Sequence, residues 1–147
     1  MQKPTKILLK VLLVCGIIAV VVIVAFIYVL IYESKKDISS QEPYVSFLNK
    51  PQVIKDTTTI RWYDNNLRFS EYSLVINEYS NFDNDEVKSV KHYFPGDTIT
   101  FHSAKSYYSI YVDNTYYLIG RDTLDSGEVV DFEYYFSEGS PDHLFGN

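Results

Sequence analysis

The chain has 147 residues and a formal net charge of −6, which suits one ordinary domain with an appendage. All 19 acidic residues lie at or after Glu33, so residues 33–147 carry ten basic and 19 acidic groups and a net charge of −9. A domain this acidic argues against nucleic acid as a partner, because binding requires cations that neutralise phosphates.

The first predicted element is an uncharged apolar run from Val11 to Tyr32. A helix of these 22 residues spans about 33 Å, which matches a hydrocarbon layer about 30 Å thick. Because lipid offers no hydrogen-bond partner to the backbone, the run must be helical despite its many β-branched residues. Tyr28, near the end of the run, suits the membrane interface. We therefore predict a tail over 1–10 and a transmembrane helix over 11–32, whose partner is the lipid bilayer.

Two kinds of cleaved signal compete with a retained anchor. A secretory signal has an apolar region of about 7–15 residues followed by a small-residue cleavage site, and Ile31 and Tyr32 offer no such site. A lipoprotein signal requires a small residue before its cysteine, whereas Val14 precedes Cys15. Both comparisons favour a signal-anchor that stays in the mature, single-pass protein.

The lysines on either side of the helix predict its orientation. Three lysines and the terminal amine precede the helix, and two lysines, Lys35 and Lys36, follow it. This bias places the N-terminus in the cytoplasm and the rest of the chain outside it. The segment beyond the helix has neither a cysteine nor an Asn-x-Ser/Thr acceptor. We therefore expect a bacterial envelope protein with a periplasmic or otherwise extracytoplasmic domain.

Residues 33–43 are polar and lack an apolar period, which predicts a juxtamembrane linker. Over 44–147, short runs of Tyr, Phe, Val, Ile and Thr alternate with Asn, Asp, Gly and Pro, a pattern typical of strands and turns. The predicted fold is an all-β soluble domain, an antiparallel sandwich of Ig-like type or a small barrel with about seven or eight strands. Strands are predicted at 44–48, 57–63, 67–79, 87–94, 98–103, 107–112, 115–122 and 128–136.

One hairpin contains the candidate binding residues. A two-residue loop formed by Asp113 and Asn114 would pair Val112 with Thr115 and leave Tyr108 on the core face. Tyr107, Tyr111 and Tyr116 would then be cross-strand neighbours on the wetter face. Such a face forms a flat partner- or glycan-binding patch, because tyrosine combines a large contact area with a polar tip. The alternative is that these tyrosines only stabilise the sheet.

The sequence predicts no catalytic, cofactor or metal site. Segregation of apolar side chains places His92 and His102 on opposite faces of their hairpin, which argues against a shared metal. Residues 81–86 begin with the ligand spacing of a calcium loop, but Glu86 stands where that loop has glycine. The domain has no thiol and no Gly-x-Ser-x-Gly elbow, so we expect that it is not an enzyme.

The expected function is non-catalytic. The β domain would bind a protein or cell-wall partner near the membrane, in an accessory, assembly or toxin-neutralising role. A membrane-tethered hydrolase or sugar-processing enzyme is the first alternative, and it requires a pocket with converging acidic groups. A structural subunit of a larger membrane complex is the second.

Overall fold

The N-terminal helix, α1, runs over Lys3–Ile31 in a computed structural model that describes residues 3–65, 67–76, 83–136 and 145–146. In this part of the chain it is the one helix long and apolar enough to cross a membrane, with a mean hydropathy of 3.3 over Thr5–Ile31. None of its most apolar stretch is buried by protein. A helix with apolar side chains on every side is suited to lipid. It begins within the predicted tail and ends at Ile31.

The chain divides into two compact units. The helical unit combines Met1–Glu33 with a turn, Ser109–Asp113. The β unit combines Ser34–Tyr108 with Asn114–Asn147. Among the described residues, regular structure beyond α1 consists of a short 3-10 helix, Tyr44–Phe47, and nine strands. The strands are β1 (Glu33–Asp37), β2 (Pro51–Ile54), β3 (Thr58–Tyr63), β4 (Tyr72–Ile76), β5 (Val87–Tyr93), β6 (Thr98–Ser109), β7 (Val112–Thr123), β8 (Val129–Tyr135) and β9 (Phe145–Gly146).

The strands form one hydrogen-bonded path. Its order is β5-β3-β4-β8-β7-β6-β2-β9, and β1 pairs with β6 beside this path. An all-β domain after one apolar helix is thus confirmed. The contact between β4 and β8, where Ser73 faces Glu133, is parallel. This parallel pairing adds a detail that the sequence does not predict, and it arises because β4 and β8 are joined by a long connection and not by a hairpin.

The core is built from apolar side chains of most of the strands. Its most deeply buried members are Ile60 of β3, Phe101 of β6, Leu118 of β7 and Phe132 of β8. The rings of Phe101 and Phe132 meet edge to face with centroids 6.0 Å apart, a favourable aromatic geometry. Because β7 lies between β6 and β8 in the path, this contact joins two strands that are not hydrogen-bonded neighbours.

Several strand predictions differ from the structure. The linker predicted over 33–43 contains β1, and the strand predicted at 44–48 is the 3-10 helix Tyr44–Phe47. β2 was not predicted at all. Charged β1 lacks the alternation that identifies a strand, and its pairing with β6 is a long-range contact.

The long strand predicted at 67–79 is also wrong in its first part. Leu67 and Ser70 close a turn through a backbone hydrogen bond of 2.9 Å, and β4 begins only at Tyr72. The last part of the prediction, 77–79, lies outside the described residues.

The hairpin that contains the candidate tyrosines turns earlier than predicted. The strands predicted at 98–103 and 107–112 form one continuous strand, β6, and the turn is made by Ile110 and Tyr111. Asp113 and Asn114, the predicted loop, belong to β7. The Ser109 hydroxyl accepts a hydrogen bond from the Val112 N–H at 3.2 Å and closes this turn. The shift buries Tyr107 and exposes Tyr108, the reverse of the prediction.

Candidate functional site

The three tyrosines predicted to form one binding face have different environments. Tyr107 is only 2% exposed, and Tyr116 is half-buried, with its ring 5.5 Å from that of Tyr44. Tyr111 is 75% exposed in the turn of the helical unit. The placement of Tyr107 on an exposed face is therefore wrong, because the shifted turn directs it inward. Partner binding by these residues stays a prediction.

Tyr107 instead belongs to a group of cations and aromatic rings in the β unit. The Arg68 guanidinium carbon lies 4.2 Å from the centroid of the Tyr107 ring. The ammonium groups of Lys35 and Lys105 lie 5.5 and 5.4 Å from the centroid of the Phe69 ring. At such distances a cation is attracted to the ring electrons. We call these five residues, Lys35, Arg68, Phe69, Lys105 and Tyr107, the cation–aromatic cluster.

Two further rings extend the cluster towards solvent. Phe69 meets Tyr117 edge to face at 5.4 Å between centroids, and Tyr117 meets Tyr135 at 5.6 Å. Tyr117 is buried, whereas Tyr135 is exposed at the end of β8. The stack therefore connects the partly buried Phe69 to a ring that a partner can reach.

Separate parts of the chain supply the cluster. β1 carries Lys35, β6 carries Lys105 and Tyr107, and the connection between β3 and β4 carries Arg68 and Phe69. The Lys35 ammonium also donates a hydrogen bond of 2.7 Å to the Arg68 carbonyl, which ties β1 to this connection. The cluster thus exists only in the folded β unit.

A buried carboxylate holds the connection in place. Glu133 accepts hydrogen bonds from the backbone N–H groups of Phe69 at 2.6 Å, Ser70 at 3.2 Å and Arg68 at 3.5 Å. The Ser70 hydroxyl also donates to the Asp131 carbonyl at 2.5 Å. Burial raises the pKa of Glu133, and the three N–H donors oppose this rise without cancelling it. Glu133 is therefore a positioning group for Arg68 and Phe69.

The cluster concentrates positive charge in a domain that is otherwise acidic. Within the described ranges, the exposed carboxylate of Asp37 interacts with Lys105, and the buried carboxylate of Glu133 interacts with Arg68. Hydrogen bonds from Ser39 lower the pKa of Asp37, and the charge of Lys105 contributes further. The carboxylate of Glu133 is occupied by backbone donors. An anionic group from outside would therefore meet cations with free hydrogen-bonding capacity, since an ammonium has three donors.

A second polar group connects β5 with β7. The Lys91 ammonium donates to Asp122 Oδ2 at 2.7 Å and to the Thr123 carbonyl at 2.8 Å, and the Tyr93 hydroxyl donates to the same Asp122 oxygen. Burial and the charge of Asp122 raise the pKa of Tyr93. Burial acts to raise the pKa of Asp122, but the hydrogen bonds from Lys91, Tyr93 and Thr123 outweigh it and lower the pKa. The phenol stays protonated as a donor, so the group ties strands together and supplies no base.

His92 and His102 do not come together as metal ligands, and His143 lies outside the described residues. His92 Nδ1 lies 2.9 Å from the Thr59 hydroxyl, and His102 Nε2 lies 3.7 Å from Asp131. In the part of the chain that the structure describes, no three His, Cys, Asp or Glu residues are grouped to hold a metal. Of the residues at 81–86, which begin with the ligand spacing of a calcium loop, Asn81 lies outside the described ranges, and Asp83 accepts hydrogen bonds from Ser89.

The sequence pattern gave almost no signal for the cation–aromatic cluster. The sequence predicts that Phe69 lies in a strand and that Lys35 lies in a linker, where its charge indicates only the orientation of the helix. Arg68 and Lys105 are single basic residues without a motif. Comparison with family models, curated proteins and solved structures finds no match.

Proposed function

We propose that this is a single-pass membrane protein whose β domain lies outside the cytoplasm and binds a protein or cell-wall partner without catalysing a reaction. α1 supports the anchor, since it is long and apolar enough to cross a bilayer. The cation–aromatic cluster carries the proposal for binding. Its combination of cations and stacked rings suits a partner in which an anionic group is attached to an apolar or planar group.

The charge arrangement favours an anion at the cluster. Two ammonium groups lie within 5.5 Å of the centroid of the same Phe69 ring, so both would attract an anion that binds beside this ring. The exposed Tyr135 ring offers contact area at the edge of the cluster. Without Lys35, Arg68 and Lys105, the rest of residues 33–147 has seven basic and 19 acidic groups, a net charge of −12, which disfavours an anionic partner elsewhere on the domain.

The partner is expected close to the bilayer. Only three residues separate Ile31, the end of α1, from Lys35. A partner that contacts Lys35 would therefore belong to the same membrane or to the adjacent wall, because a short tether raises the effective concentration only nearby.

Photo-crosslinking in intact cells tests the proposal. A benzophenone amino acid in place of Tyr135 should give a discrete crosslinked product with the full chain. Val129 is exposed at the other end of β8 and is the matched control position. The same amino acid in place of Val129 should give no crosslinked product.

Two lysine variants test the chemistry of the contact. Lys105→Gln should reduce the product from position 135 roughly fivefold, as loss of about 1 kcal/mol of charge-assisted binding implies. Lys88→Gln removes an ammonium that lies 5.5 Å from the centroid of the Trp62 ring, outside the cluster, and should leave the product unchanged. Equal crosslinking from positions 129 and 135, or equal effects of both lysine variants, would contradict binding at the cluster.

A further inference from the structure

The turn between β6 and β7 is made from residues that ordinarily avoid turns. Ile110 and Tyr111 form it, although short hairpin turns favour Gly, Asn and Asp. Neither residue has the positive φ that the preferred hairpin turns require. Asp113 and Asn114, which suit a turn far better, lie immediately beyond it inside β7. The fold thus places apolar side chains at a tip where polar ones were available.

The tip is exposed as well as apolar. Tyr111 is 75% and Ile110 is 47% exposed, and neither side chain carries a charge. Contact between water and these apolar side chains costs free energy, which a polar turn would avoid. Positions where a sequence departs from local rules in this way are often functional. A partner that covers apolar surface would remove this cost.

The helical unit identifies that partner. The tip and α1 belong to the same compact unit, and α1 exposes apolar side chains along the length that would cross a bilayer. Tyr28 and Tyr32, with ring centroids 6.1 Å apart, lie at the end of α1 from which the chain continues to the β unit. Tyrosines at a helix end favour the interface between headgroups and acyl chains. Tyr111 offers the same side chain for the same layer.

We infer that the turn Ile110–Tyr111 inserts into the interfacial layer of the bilayer that α1 crosses. The Ile110 side chain contacts acyl chains, and the Tyr111 hydroxyl stays at the headgroups. Asp113, two residues further on, limits the depth because a carboxylate must remain in water. The hairpin thus gives the protein a second membrane attachment. This inference shares the anchor with the proposed function but does not depend on partner binding.

Depth-dependent quenching tests the inference. The full chain is reconstituted in nanodiscs of zwitterionic and anionic lipids, in a Trp62→Phe background that removes the single native tryptophan. Tyr111→Trp places a reporter at the tip, and Phe94→Trp places one at a 61% exposed aromatic position of the β unit. Circular dichroism is the control that checks whether both variants keep the strand content of the parent.

Lipids brominated on the upper acyl chain should quench Tyr111→Trp at least twofold and leave Phe94→Trp unchanged. Emission of Tyr111→Trp should also shift to shorter wavelength relative to Phe94→Trp. Equal quenching of the two reporters would overturn the inference. Protection of Tyr111→Trp from aqueous acrylamide without quenching by bromolipid would also overturn it, since protein and not lipid would then cover the tip. Loss of the crosslink from position 135 bears only on the proposed function.

Discussion

Gly120 shows how the absence of one side chain makes room for another. It lies in β7 directly opposite Phe132 of β8, and the Phe132 ring is fully buried. A Cβ atom at Gly120 would lie 2.1 Å from Cζ of that ring, closer than atoms can approach. The ring covers the glycine across the strand pair, an arrangement that compensates for a glycine in a sheet. This glycine is therefore required by packing and not by a turn.

The Gly120→Ala variant should consequently be less stable. The added methyl group must displace the Phe132 ring, and such overpacking costs about 1–3 kcal/mol. Thermal unfolding of the full chain in detergent, followed by near-UV circular dichroism, measures the loss. Thr123→Ala, at an exposed position of the same strand, is the control and should change stability by less than about 0.5 kcal/mol. Partial recovery in Gly120→Ala/Phe132→Leu would identify the ring as the cause, whereas unchanged stability of Gly120→Ala would refute the contact.

At the scale of elements, Glu133 couples β8 to the connection between β3 and β4. Its oxygens accept the N–H groups of Phe69 and Ser70, so the connection cannot continue as a strand. An ionised carboxylate is costly to bury, and hydrogen bonds from three backbone donors make it tolerable. This arrangement explains both the late start of β4 and the fixed position of the cation–aromatic cluster.

The pH dependence of stability should reveal this carboxylate. Because the folded pKa of Glu133 lies above its ordinary value of 4.5, its contribution to stability is largest below that value and declines as the pH rises through the folded pKa. Glu133→Gln cannot ionise, and its carbonyl can still accept the two shorter N–H contacts. The melting temperature of the native protein minus that of the variant should therefore fall as the pH rises above 4.5.

Subtracting the melting temperature of Glu133→Gln from that of the native protein removes the effects of the other carboxylates. Asp122 and Asp131 have lowered pKa values, so their stabilisation is lost as the pH falls, but it is lost equally in the native protein and in Glu133→Gln. Thr123→Ala, which removes no ionisable group from an exposed position of β7, should give a difference that does not change with pH. A constant difference for Glu133→Gln would show that its pKa is not raised.

At the scale of the whole molecule, the lysines around α1 predict that the N-terminus lies in the cytoplasm. The chain has a single cysteine, Cys15, within α1. A Cys15→Ser chain can therefore receive one reporter thiol at a time. A membrane-impermeant maleimide added to intact cells should label Ser126→Cys, and it should label Gln2→Cys only after lysis.

The reverse labelling pattern would show the opposite orientation and would place the β domain in the cytoplasm. Sedimentation with membranes after alkaline carbonate treatment is the control for both chains, because it shows that α1 still anchors the labelled protein. A labelled chain in the soluble fraction that lacks residues 1–32 would show that α1 is a cleaved signal.

The apolar helix and the strands could be predicted from the sequence because both depend on the pattern of neighbouring residues. An uncharged run from Val11 to Tyr32 identifies a candidate membrane helix, because hydropathy and length act residue by residue. Alternating apolar side chains in segments such as Val129–Tyr135 identify strands, because the pleat has a period of two. These signals determined the all-β class and most strand positions without knowledge of any long-range contact.

Tertiary structure alone decided the turn, the added strands and the cluster. Asp113 and Asn114 have the better local turn propensity, yet the register of the whole sheet moves the turn to Ile110 and Tyr111. The pairing of β1 with β6 and the hydrogen bond from the Phe69 N–H to Glu133 join residues that are distant in sequence. Contacts of this kind depend on the summed free energy of the fold, which outweighs the preference of any single residue.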